Sequence, residues 1–201
     1  LEDAYINLNR SDSIWNYRFI ADYFSGPPSP ASQKKNIDLN IRTVDLKNIR
    51  IVQRDEWRGE DLTAVIGSLN VDAESFDINS RVIRLRSVDL VKPSFSIFNY
   101  DGKRIRPPAA DDEEEETFVN DPQRLRWNTG EWDITIHFLD IADGVFRTDV
   151  QDGRTPYPYF DGQHILFSAI TASFKDCRLV RDSILASISL SAKERSGIQV
   201  K

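Results

Sequence analysis

The sequence predicts a mainly β protein made of two similar strand-rich units, with one amphipathic helix near its N-terminus. Three observations carry that expectation. Short segments alternate apolar and polar residues with a period of two, which puts one set of side chains on each face of a sheet. Clusters of Gly, Pro, Asn, Asp and Ser separate those segments. The rhythm then recurs: Asp140-Ile141 takes the place that Asp45-Leu46 held 95 residues earlier. A repeat this long, in amphipathic strands, suggests stacked units whose sheets run into each other.

Taken in order, Ala4 to Asn9 alternates Tyr5 and Asn7 against Ile6 and Leu8, a short strand. Ser11-Asp12-Ser13 offers helix N-cap chemistry. Trp15, Phe19, Tyr23 and Phe24 follow at helical spacing with Ile20 beside them, and Gly26-Pro27-Pro28 stops the helix. Its polar side, Asn16, Arg18 and Asp22, lacks the lysines of an interfacial membrane helix, so it reads as a cap on a sheet end. Ser29 to Lys35 is a polar linker.

Sheet patterning starts at Ile37, with Leu39 and Ile41 on one face. Val44, Leu46, Ile49 and Ile51 follow after a phase change at Asp45, which suggests a bulge. Asp55 to Asp61 is a charged hairpin tip in which Gly59 is free to take positive φ. Three strands follow, centred on Leu69-Val71-Ala73, Ile83-Leu85 and Phe95-Ile97, with turns expected at Glu74-Ser75, Asp77 to Ser80 and Lys92-Pro93.

After the turn at Tyr100 to Gly102 come six consecutive acidic residues, Asp111 to Glu116, a run that repels itself and stays solvated. It lacks the alternating carboxylates and glycine of a calcium loop. Trp132, Ile134, Ile136 and Phe138 then alternate with polar residues, Val145 and Phe146 answer Ile49 and Ile51, and Gln151 to Gly162 is a turn-rich hairpin. Ile165 to Phe174 repeats the rhythm of Leu62 to Ala73, and Ile184 to Leu190 that of Ile83 to Leu90. Gly197, Ile198 and Val200 close the chain inside a strand. The boundaries are a strand and capping helix over 1–30, a first β unit over 36–106, an acidic loop over 107–125 and a second β unit over 126–201.

Bulk properties narrow the function. The chain of 201 residues, 40% hydrophobic and 29% charged, has room for a core. Its net charge of -6 argues against nucleic-acid binding and against docking on anionic lipid by charge. A single cysteine, Cys177, rules out an internal disulfide. No apolar run reaches the length of a membrane span. A chain that begins at Leu1 and has no methionine is expected to be a segment of something longer.

Chemistry-bearing motifs are missing. His137 lies on a polar strand face and His164 at a strand entrance, neither with metal-ligand spacing to Cys, Asp or Glu. Cys177 has no nucleophile signature, and there is no phosphate loop, nucleophile elbow or dinucleotide fingerprint. The expectation is a protein that is not an enzyme and uses no metal or cofactor.

What remains is the continuous greasy face. If nothing covers it, it forms an apolar trough, and a lipid tail of about a dozen methylenes would avoid about 10 kcal/mol of exposure there. The candidate lining is Leu39, Ile41, Leu69, Val71, Ile83, Leu85, Phe95 and Ile97 in the first unit, and Ile134, Ile136, Phe138, Phe167, Ile184 and Ile188 in the second. A different class of function is a protein-binding scaffold that offers open edge strands for augmentation. A carbohydrate module using Trp57, Trp127 and Trp132 as stacking platforms is a third.

The run from Ile37 to Gly102, IDLNIRTVDLKNIRIVQRDEWRGEDLTAVIGSLNVDAESFDINSRVIRLRSVDLVKPSFSIFNYDG, resembles the N-terminal part of TamB-like proteins of Gram-negative bacteria, relatives of the AsmA family and of bridge-like lipid transporters. AYINLNRSDSIWNYRFIADYF, FDGQHILFSAITASFKD and SLSAKERSGIQVK are similar to the same group. The resemblance implies a U-shaped twisted antiparallel sheet, or β-taco, with an apolar lumen. It implies a periplasmic segment of an inner-membrane-anchored protein that moves phospholipid toward the outer membrane. A BamA- or TamA-like barrel would be its partner there, through parts lying outside this sequence, and assembly of outer-membrane proteins is the other activity implied.

Overall fold

The computed structural model describes residues 1–18, 41–104 and 128–201. Its regular structure is one mixed sheet of nine strands: β1 (Tyr5–Arg10), β2 (Thr43–Asp55), β3 (Glu60–Asp77), β4 (Val82–Val91), β5 (Ser94–Asn99), β6 (Asp133–Val150), β7 (Ile165–Val180), β8 (Ser183–Glu194) and β9 (Gln199–Val200). The mainly β expectation holds. Of the expected helix, only its start is described, a turn at Asn16-Tyr17 leading into Arg18; residues 19–24 and Leu39 lie outside the described residues, as do the acidic run and Trp127.

The sheet is mixed where a wholly antiparallel one was expected. β2, β3 and the β4–β5 pair form an antiparallel meander, and β6, β7 and β8 form another. Parallel pairing joins them, β4 and β5 both lying along β6. β1 pairs with β2 in parallel as well. A parallel neighbour requires a long crossover, and residues 11–42 and 100–132 are the two long connections that provide it.

Two expected turns are not turns. Glu74-Ser75 lies inside β3, where the register with β4 shifts as a bulge. Lys92-Pro93 does not reverse the chain: β4 and β5 run end to end between the same two neighbours. Pro93 has no N–H to donate, which accounts for the local loss of ladder pairing.

That interruption belongs to a line crossing the sheet. Asp3, Asn48, Lys92, Asp143 and Ala169 have φ of 54°, 52°, 50°, 55° and 48°. The registers on either side put Asp3 level with Asn48 and Lys92 level with Asp143, and Asn48 Nδ2 donates to Asp3 Oδ1 at 3.0 Å. Left-handed backbone breaks the pleat. At Asp45, where a bulge was expected, β2 is regular; the irregularity is the left-handed Asn48, which the β2–β3 register passes without a shift. In the strand between, Gly67 meets the same line, and a Cβ there would lie 2.8 Å from the Val91 carbonyl oxygen.

All nine described strands belong to one sheet, and every close contact between elements joins neighbours in it, so among the described residues no second sheet packs on either face. A sandwich strand would alternate buried and exposed residues. β3 instead runs half-buried through most of its length. The only buried apolar side chains are Ile49, Val52, Ala73 and Ala172, among the described residues.

Candidate functional site: transverse apolar rows

Directly paired residues of neighbouring strands share a face, so register converts into rows that cross the sheet. One row is Val44, Val71, Val88, Leu139, Phe174 and Ile188. The next is Leu46, Leu69, Leu90, Ile141, Ala172 and Leu190. Members of the two rows stand two residues apart in every strand, so both rows occupy one face. Six strands about 4.8 Å apart give an apolar band about 24 Å long.

The residue between them in each strand forms the opposite row: Asp45, Asn70, Asp89, Asp140, Ser173 and Ser189. Asn70 Nδ2 donates to Asp45 Oδ1 at 2.6 Å, and Ser173 Oγ to Asp140. One face is thus apolar and the other hydrated along the whole band. Its lining is half-buried in β2 to β7, apart from the fully buried Ala172, and opens at β8, where Ile188 is 61% and Leu190 40% exposed.

Further rows flank it. Phe76, Ile83, Ile134, Leu179 and Ile184 lie toward the β3–β4 turn. Ala73, Leu85, Ile136 and Cys177 form a shorter row beside them. Beyond the left-handed line come Ile6, Ile51, Ala64, Phe95, Phe146 and Phe167, with Phe95 and Phe146 stacked at 6.1 Å. Leu62, Ile97, Thr148 and Ile165 make the last.

Of the residues expected to line the trough, Val71, Leu69 and Ile188 sit in the central pair of rows. Ile83, Ile134 and Ile184 share one flank row, Leu85 and Ile136 another, and Phe95 and Phe167 the aromatic one, with Ile97 next to them. Ile41 is half-buried just ahead of β2. Phe138 stands apart. It pairs across to Ser87 and Lys175, in the row of Asp72 and Ser187, and is 51% exposed. Val44, Leu46, Val88, Leu90, Leu139, Ile141, Phe174 and Leu190 were missed. Their signal was present as a triplet, apolar–Asp/Asn/Ser–apolar, in VDL, LNV, VDL, LDI, ASF and ISL.

The strongest charge clusters lie at the strand ends, away from the rows. At one, the Arg10 guanidinium grips Asp55 through Nε at 2.7 Å and Nη2 at 2.6 Å, while the Arg58 amide donates to the same carboxylate at 3.0 Å. Asp55 is 2% exposed, and Arg10 holds it below the ordinary carboxylate range. Burial, then the Asp61 carboxylate 2.8 Å away, pushes the Tyr100 phenol up to about 12.

At the β6–β7 loop, His164 is 5% exposed and lies between two carboxylates, Nδ1 3.0 Å from Asp149 and Nε2 3.0 Å from Asp152. A neutral imidazole has one N–H, so only the imidazolium serves both. Its pKa is accordingly raised, by Asp149 first and Asp152 second. With both ring nitrogens engaged, His164 offers no free base. Next to it Arg154 clamps Asp161 with both terminal nitrogens, at 2.6 and 2.9 Å.

Two concavities, of about 660 Å³ around Trp132 and Asp182 and about 420 Å³ around His164 and Phe98, lie at strand ends. Among the described residues no group of three or more His, Cys, Asp or Glu could hold a metal ion, and no helix is long and apolar enough to cross a membrane. Burial, then Asp176, raises the Cys177 thiol, which makes it a poor nucleophile. Compared with family models, curated proteins and solved structures, the chain shows no match.

Proposed function

We propose that this chain is a segment of a lipid-conducting groove that carries phospholipid acyl chains on the banded apolar face. The observation that supports it is the pair of rows running unbroken over six strands with no second layer of strands over them among the described residues. Burying such a band against a second sheet would give an ordinary core. Left open, it leaves leucine- and valine-sized side chains partly exposed, and each would gain a fraction of the about 1.5–3 kcal/mol that burial from full exposure brings. Acyl chains supply that burial without fixing a headgroup. The reading extends to a TamB/AsmA-like protein in the periplasm, anchored in the inner membrane and meeting an outer-membrane barrel through parts beyond this sequence. It assigns no catalytic step.

The test is to purify the chain, extract what it carries and identify phospholipid by mass spectrometry. Recovered phospholipid, and its loss in an Ile188→Glu/Leu190→Glu variant, is the expected result. Those positions are exposed, so the variant keeps its β-sheet circular dichroism. Protein that carries no lipid and takes up none from a fluorescent phospholipid sinks the proposal.

A second reading, a scaffold that assists outer-membrane barrel assembly, has its own support in β8. β9 pairs only with Ala192 and Lys193, so the outer edge of β8 from Ser183 to Ser191 has no strand beside it among the described residues. Such an edge accepts an added strand. Crosslinking from Ser187→Cys to unfolded barrel strands, with lipid absent, would favour it.

A further inference from the structure

The β6–β7 connection, residues 151–164, is built unlike an ordinary surface loop. Its ionic groups point inward. Asp161, 4% exposed, accepts from Arg154 twice and from the Tyr157 and Gln163 amides at 3.1 and 3.2 Å. Arg154 also reaches Asp152 at 2.8 Å, and His164 closes the cluster between Asp149 and Asp152. The rings, in contrast, point outward. Tyr157 is 44%, Tyr159 62% and Phe160 48% exposed. The Arg154 guanidinium lies 4.2 Å over the Tyr157 ring, and Tyr159 stacks on Tyr157 at 5.0 Å. A buried ionic pedestal therefore holds an aromatic tip in water.

We propose that the Tyr157–Phe160 tip is where this protein touches a zwitterionic bilayer interface, a contact that rests on the lipid-groove reading and gives the groove its point of exchange. Three observations select that occupant. Phenol rings with apolar bodies and polar ends are the side chains that settle at headgroup level. The loop's own carboxylates, Asp152 and Asp161, are neutralised inside the pedestal, so the tip brings no unpaired negative charge to the surface. The loop also feeds directly into Ile165, a member of the last apolar row with Leu62, Ile97 and Thr148. A tail leaving the interface beside the tip thus meets apolar side chains at once. The net charge of -6 disfavours anionic surfaces, which makes phosphatidylcholine the fitting probe.

The test is sedimentation of the full chain with phosphatidylcholine vesicles. A Tyr159→Ser/Phe160→Ser variant leaves every hydrogen bond of the pedestal in place, and its binding is expected to fall at least about ten-fold. In a Cys177→Ser background, an environment-sensitive fluorophore at Tyr159→Cys should shift to the blue on vesicles, and one at Ser183→Cys, at the opposite strand ends, should not. Unchanged binding by the double variant, no binding by the parent chain, or equal shifts at both labels overturns the proposal. The groove reading fails separately: vesicle binding that depends on the tip, in a protein that never carries lipid, would retain the contact and remove the cargo.

Discussion

Among the described residues, the most buried large side chains are charged, and one of the most exposed strands is greasy. Glu194 and Asp55 lie at 0% and 2% exposure, whereas Ile184 and Ile188 of β8 lie at 67% and 61%. The ends of the strands and the face of the sheet thus obey opposite rules. At the ends, burial comes with charge-assisted hydrogen bonds, which fix geometry and leave few polar atoms unpaired; of the buried side-chain nitrogens and oxygens among the described residues, Glu194 Oε1 alone lacks a partner. On the face, among the described residues, apolar side chains get only the cover their sheet neighbours provide. If nothing further covers that face, stability should concentrate where loops fold back on strand ends.

If the ends carry stability, an end residue should be the costliest to lose. Asp55→Ala leaves Arg10 without its carboxylate and the Arg58 amide without an acceptor. Removing a buried acceptor and leaving its donors unsatisfied typically costs about 1–3 kcal/mol. Chemical denaturation followed by circular dichroism should show a loss of that size. A loss below about 1 kcal/mol would mean that the ends are ornament and that the face holds the sheet together.

The loop at the other end sharpens the same contrast through pH. His164 has a folded pKa raised above its ordinary 6.5, so its contribution is complete below that value and fades as pH climbs through the raised one. Asp149 and then Asp152 produce the shift, and burial and then Arg154 oppose it. Asp161, held below its ordinary 3.8 by Arg154, acts in the reverse sense: its contribution is present above that value and lost as acid protonates it. The loop therefore has a stability window open at mildly acidic to neutral pH. Amide protection over 151–164, corrected for the intrinsic rise of exchange with pH, should fall on the alkaline side in the parent chain, and His164→Gln should flatten that limb. Protection at Val71 and Leu139, in the rows, should not follow it.

How much of this could be read from the chain depends on whether the physics was local. Alternation is local, so the strands and the Gly59 turn, with φ of 80°, were legible. The left-handed line left a trace, since Leu46 to Ile49 slips the period of two. Without knowing which strands adjoin, that slip could not be aligned with Lys92 or Asp143, and Lys92-Pro93 read as a reversal. Parallel joining of β4 and β5 to β6 left no trace at all, because it sets register between segments 51 residues apart. Phe138 shows the consequence: its spacing from Ile134 and Ile136 suggested one face, and the pairing of Ser87 and Lys175 beside it assigns another. The His164 cluster was equally hidden, since Asp149 and Asp152 reach it only because the loop closes.

The smallest effect bears most directly on the comparison. Ile184→Ser and Ile188→Ser remove large apolar groups from a strand that already shows them to water, so little transfer energy is at stake in the folded chain. Each should change stability by no more than about 0.5 kcal/mol, the usual range for exposed sites. A buried isoleucine reduced to this extent would cost about 2–5 kcal/mol. Measured on lipid-free protein, a loss in that higher range would show that β8 is covered in solution, by a second copy or by another part of the chain. Measured with and without phospholipid, a near-zero loss in the free form and a larger one in the loaded form would place the lipid against β8, because only a ligand seated there makes those methylenes count.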